Sequence, residues 1–134
     1  MAKNWSTDEF RRALRKVAPA VAKRGDDALK KNAAEWVEAA KSAAPSDPDG
    51  GSFLRDSIRS RESDTGGQIV QAGGSTTTRD GENGPYDYAR AQEFGRHDMQ
   101  ATPYFWVTYR LLRKKFISRR RRAVAQAIKE SYGK

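Results

Sequence analysis

Tyr86-Asp87-Tyr88-Ala89-Arg90-Ala91-Gln92-Glu93-Phe94-Gly95, then after a short loop Pro103-Tyr104-Phe105-Trp106 and a basic run to Ala127, is the stretch that organises this 134-residue chain. It holds most of the aromatic residues, the single histidine (His97) and the densest positive charge. Pro103 suits the first turn of a helix, where its missing N–H costs nothing, and Thr102 suits the cap before it. The spacing predicts a helix over 103–130. On its wheel Phe105, Tyr109, Leu112, Phe116, Ala123 and Ala127 form one apolar stripe. Trp106, Ile117, Val124 and Ile128 form a second, roughly 100° around, with Arg113 and Arg120 between the two. Two readings are open at this point. Either the helix packs against two bodies, its own domain and a neighbour, or the arginines snorkel from one broad buried face.

Working outward, composition sets the frame. The length is that of one domain, 1–134, with room for a modest core. Apolar residues make up 37% and charged residues 32%, so that core is thin or shared with a neighbour. The absence of cysteine excludes disulfides and thiolate metal sites. No apolar run approaches the roughly 20 residues of a membrane span, and the first residues lack the apolar core of a signal peptide. The expectation is a soluble protein made in the cytoplasm, with no membrane contact. Net charge is +9, and eight basic residues fall within the thirteen from Arg110 to Arg122, with no acid among them. Such a cluster suits phosphates or an acidic protein surface, or is simply a solvated face.

Upstream, Ser6-Thr7-Asp8-Glu9 has the form of a capping box. Phe10, Leu14, Val17 and Val21 recur at helical spacing, and the rhythm continues through Leu29, Ala33, Trp36 and Ala40. The expectation is an N-terminal helix over 6–43, kinked near Pro19 or broken there into two. Ala44-Pro45-Ser46-Asp47-Pro48-Asp49-Gly50-Gly51 ends it. A β region is expected over 53–73, opening with a short turn at Leu54 and closing on the strand Gln68-Ile69-Val70-Gln71, with a turn at Ser63–Gly67. Residues 74–85 read as a long polar loop, and 86–95 as a short helix or irregular aromatic segment.

Chemistry of the catalytic kind is missing. A lone histidine beside Asp98 makes neither a metal site nor an acid–base pair, no serine sits in a nucleophile elbow, and no glycine pair belongs to a phosphate-binding loop. The expectation is a non-enzyme with no catalytic residues, metal or cofactor.

The order of short motifs resembles a known family. Ala40-Lys41-Ser42-Ala43-Ala44-Pro45, Phe53-Leu54-Arg55-Asp56-Ser57-Ile58, Val70-Gln71-Ala72-Gly73, Tyr88-Ala89, Glu93-Phe94-Gly95 and Pro103-Tyr104-Phe105 follow one another as in the tail-completion family of long-tailed bacteriophages, named after gene product ten of phage Hong Kong 97. The resemblance runs from about Ala33 to Ile128. It departs at Asp49-Gly50-Gly51-Ser52-Phe53, where a Thr-Gly is usual, and at Arg96, where a threonine is usual.

The resemblance implies an α+β fold: a long kinked N-terminal helix and a long basic C-terminal helix packed on a small antiparallel β-sheet. It also implies a virion protein at the head–tail interface, one subunit of a ring of expected sixfold symmetry. Its neighbours there are connector or stopper and tail-tube proteins, and the genomic DNA passes by. On this reading Tyr86, Tyr88, Glu93, Phe94, Trp106, Arg113, Ile117 and Arg120 are the candidate subunit or partner interface, with Phe94 anchoring its segment in the core. Lys114, Lys115, Arg119, Arg121 and Arg122 are the candidate contacts to DNA or an acidic surface. The alternative is a nucleic-acid-binding protein that uses the basic helix. A small toxin or hydrolase is a third, weaker option.

Overall fold

The computed structural model describes residues 4 and 6–132; the outermost parts of the expected 1–134 unit lie outside the described residues. Helix α1 spans Thr7–Ala43. Its capping box is complete: Ser6 Oγ accepts from the Glu9 N–H at 3.2 Å, and the Glu9 carboxylate accepts from the Ser6 N–H at 2.9 Å. The helix runs through Pro19 as one element, so of the two arrangements the sequence left open, the single helix is the one observed. Ala44 turns to an extended conformation and ends it.

The short helix α2, Phe53–Ser57, is capped from outside. Asp47, 4% exposed, accepts from the N–H groups of Phe53 (2.7 Å) and Leu54 (3.1 Å). A carboxylate suits the positive end of a helix and satisfies donors that have no partner within it. Strands β1 (Arg59–Glu62) and β2 (Gln68–Gln71) pair antiparallel, from Arg59 opposite Gln71 to Glu62 opposite Gln68. Their turn passes through Gly66 and Gly67, both at positive φ.

The stretch expected as a polar loop has structure. A 3-10 turn at Ser75–Thr77 leads into β3 (Thr78–Arg79), which pairs with β4 (Tyr86–Asp87). Two residue pairs are too few to leave an alternating pattern in the sequence. Helix α3, Tyr88–Phe94, follows directly, capped by Asp87 and ended by Gly95 at φ 79°. Helix α4 spans Trp106–Tyr132, so it begins three residues later than Pro103, the expected first position.

The core is small. Leu54, Ile58, Ala40 and Tyr104 are all but fully buried, joined by Val37, Ala44, Tyr88, Ala89 and Phe105. Burying a leucine or isoleucine of this size contributes roughly 1.5–3 kcal/mol. The tyrosine hydroxyls inside it are satisfied: Tyr104 donates to the Ala89 carbonyl at 2.9 Å and Tyr88 to the Ser46 carbonyl at 3.0 Å. From this core α1 and α4 run out side by side and antiparallel. Trp36 lies against Phe105 and Trp106, Asn32 against Phe116, and Arg24 against Glu130.

Candidate partner-binding site

The start of α4 is fixed by one side chain. Glu93, 6% exposed on α3, accepts from the N–H groups of Tyr104 (3.3 Å), Phe105 (3.0 Å) and Trp106 (3.2 Å). These are donors the first turn of a helix would otherwise leave unpaired. Thr102 therefore does not cap α4; its own N–H goes to the Gln92 carbonyl at 2.7 Å. Placed as it is, Glu93 belongs to the interior and not to an exposed interface. Beside it, burial and the Glu93 charge push the Tyr104 phenol well above its usual range.

Around the Glu93 clasp lies an aromatic cluster. Trp36 sits 4.6 Å from Phe105, 4.8 Å from Tyr109 and 5.6 Å from Trp106, ring centre to ring centre. Its indole N–H donates to the Phe105 carbonyl at 3.0 Å. The cluster separates two open concavities. The first is a groove of about 250 Å³ between α1, α4 and β2, walled by Leu29, Trp36, Val70 and Ile117 with Arg113 and Arg120 in its lining. The second is a cleft of about 270 Å³ bounded by Val70, Ala72, Phe94 and Trp106, with Arg90, Asp87 and Glu93 its charged residues.

The candidate interface residues therefore divide. Arg113, Ile117 and Arg120 come together in the groove, Phe94 and Trp106 in the cleft. Phe94, expected in the core, is 64% exposed. It is the last residue of a seven-residue helix whose inward positions are taken by Tyr88, Ala89, Ala91, Gln92 and Glu93. Trp106 is 43% exposed. Tyr88 is core, 4% exposed. Tyr86 stands apart, under the Arg96 guanidinium at 3.9 Å, and lines a polar hollow with His97 and Asp98. Among the described residues no group of three or more His, Cys, Asp or Glu could hold a metal ion, and no helix is long and apolar enough to cross a membrane.

The basic cluster also divides. Arg119, expected to meet DNA or an acidic surface, is committed within the chain: its guanidinium donates to Glu35 and, at 2.7 Å, to the Asn32 side-chain oxygen. Lys115 Nζ lies 3.1 Å from Glu35. The Arg119 hydrogen bond, aided by Lys115, holds the Glu35 carboxyl below its ordinary value despite some desolvation. Asn32 completes the arrangement by donating to the Phe116 carbonyl at 3.1 Å. The sequence did carry a signal for this lock: Asn32 and Glu35 are polar residues one helical turn apart beside an apolar stripe. Lys114, Arg121 and Arg122 remain exposed, and so does Arg110. Positions 110, 114 and 121 fall on one outward line of α4, opposite buried Phe105, Phe116 and Ala127.

Comparison with known proteins gives one finding. The sequence profile of the HK97-gp10-like family, described as "Bacteriophage HK97-gp10, putative tail-component", matches residues 8–95. The match takes in α1 through α3 and stops before α4. No curated protein and no solved structure matches the chain.

Proposed function

The chain belongs to the HK97-gp10-like family of bacteriophage tail components, and from that premise we propose that it is a structural virion protein without enzymatic activity, one subunit of the neck ring that joins the DNA-filled head to the tail. The observation that supports this most is the unequal use of α4. Its first stripe is turned inward at Phe105, Phe116 and Ala127, while Trp106 and Ile128 of the second are 43% and 41% exposed. Exposed apolar side chains of this size suit contact with another protein, and Trp106 also borders the cleft. In a closed ring each subunit presents two different patches to its two neighbours. The groove with Arg113, Ile117 and Arg120 is one such patch, available to a neighbouring subunit or to an acidic surface of the connector.

Removing the gene tests this. The expected result is filled heads and separate tails accumulating side by side, with joined particles restored by supplying the chain. Normal joined particles without the gene would overturn the reading. Sedimenting the lysate adds a second check: the chain should travel with particles at a fixed low copy number and stay there through a high-salt wash.

The outward line Arg110, Lys114 and Arg121 favours a further role for the same subunit, contact with passing DNA. No acid lies on α4 before Glu130. Three phosphate contacts would make affinity for duplex DNA fall roughly 40-fold between about 50 and 200 mM salt, and neutralising the three residues would flatten that dependence. Affinity unmoved by salt would remove DNA from the list of partners.

A further inference from the structure

Helix α1 is longer than its partner. The bidentate pair of Arg24 and Glu130, at 2.5 and 2.6 Å, marks the level at which α4 is about to end, two residues before Tyr132. From Arg24, α1 continues for seventeen residues toward Thr7, roughly 25 Å at 1.5 Å per residue. The face that meets α4 through Ala28 and Asn32 continues along this overhang as Val21, Val17, Leu14 and Phe10, at spacings of three and four. Val17 is still buried, whereas Leu14 and Phe10 are 50% and 55% exposed. A stripe that is core for half its length emerges as a bare apolar arm.

The chain has a receptor for such an arm at its other end. The Phe94–Trp106 cleft lies beside Trp36, roughly 39 Å along α1 from Phe10. Phe10 and the cleft lie toward opposite ends of one continuous helix, so the tip cannot return to its own cleft and the two can meet only between copies. Charge selects this cleft over the groove. The arm carries Arg11, Arg12, Arg15 and Lys16 against Asp8 and Glu9. The groove lining has Arg113 and Arg120 and no acid, whereas in the cleft Arg90 is offset by Asp87 and the buried Glu93, both of which are bonded within the chain, so no net positive charge opposes the arm there. Like charges brought together across an interface oppose docking.

We propose that Phe10 and Leu14 of one copy seat in the Phe94–Trp106 cleft of the next copy. Arm and cleft are different surfaces at opposite ends of the molecule, so the contact is head-to-tail and every copy both gives and receives an arm. This rests on the ring reading above and specifies which surfaces close the ring.

The chain has no cysteine, so introduced thiols are unique within it. Particles are prepared carrying the chain with Arg11→Cys beside the arm stripe and Arg90→Cys at the cleft, then treated with a short bismaleimide and probed for this chain. The expected result is a ladder at multiples of 15.0 kDa. Each single variant gives no ladder, and adding Phe10→Ser and Leu14→Ser to the double variant abolishes it. Three results overturn the proposal while leaving the ring reading intact. The chain is in the particles but no ladder forms; Arg11→Cys alone gives dimers, showing arm against arm; or Arg11→Cys with Ile117→Cys gives the ladder, placing the arm in the groove. Absence of the unaltered chain from particles would instead defeat the ring reading, and this inference with it.

Discussion

At one end of the α1–α4 pair, Trp36 is ringed by Phe105, Trp106 and Tyr109, and a buried carboxylate takes up the N–H groups at the start of α4. At the other end, the same face of α1 runs past its partner and leaves Phe10 and Leu14 in solvent. The first end is closed within one chain. The second has helical periodicity and apolar residues, and beyond Val17 none of the described residues buries them. A helix face therefore has to be read in two parts: its spacing says that it will be covered, and only the length of its partner says by what.

Breaking the closed end should have the largest effect. Glu93→Ala leaves three N–H groups, two of them buried, without an acceptor and is expected to cost about 3–5 kcal/mol in denaturant unfolding, since each lost bond to a charged group is worth about 1.5–3 kcal/mol and the three are not additive. Glu93→Gln should recover part of this. Trp36→Ala removes the half-buried centre of the aromatic cluster and one hydrogen bond, for a loss of about 2–3 kcal/mol in the same measurement, less than for a fully buried tryptophan. If either variant unfolds like the parent, the closed end does not hold the fold.

Midway along the pair, Glu35→Gln should cost about 1 kcal/mol at neutral pH, the pair being partly exposed. The folded-state carboxyl lies below its ordinary value near 4.5 because Arg119 and Lys115 favour the charged form. Its contribution is then complete above that ordinary value and lost as pH falls through the lowered one. The difference in melting temperature between parent and Glu35→Gln should be constant from pH 7 to about 5 and shrink below. A difference that grows with acid would contradict the assignment.

The smallest effect belongs to the open end. Phe10→Ser and Leu14→Ser together should change the stability of the isolated chain by less than about 0.5 kcal/mol, as substitutions at unburied positions do. The same pair should abolish the cross-linked ladder between copies. A large loss of stability would mean that the arm is already covered within its own chain.

Much of the fold was legible because its signals are local. The capping box at Ser6 and Glu9, the proline–glycine stop after Ala43 and the turn between β1 and β2 each lie within a few residues of what they control. The start of α4 was not legible because its cap comes from Glu93, eleven or more residues upstream, and a reading confined to neighbours settles on Thr102 and Pro103. Phe94 lies outside the core because apolar character alone does not decide burial: the inward positions of its seven-residue helix belong to Tyr88, Ala89, Ala91, Gln92 and Glu93. The candidate site was legible as a segment but not as a surface. Arg113, Ile117 and Arg120 do share a groove, whereas Arg119 differs from its neighbours in the run only by facing Glu35.

The Asn32 side chain donates to the carbonyl of Phe116 and accepts from Arg119, a pairing that exists at one longitudinal setting of the two helices. Sliding α1 by a single turn would shift it about 5.4 Å and strand both contacts. Asn32 thus acts as a detent, and the reach of the arm becomes a fixed gauge length set by covalent rise rather than by elastic adjustment. If that gauge spans from one subunit to the next, ring circumference is written into the distance between Asn32 and Phe10, and four residues inserted between them would yield a ring of another size or none.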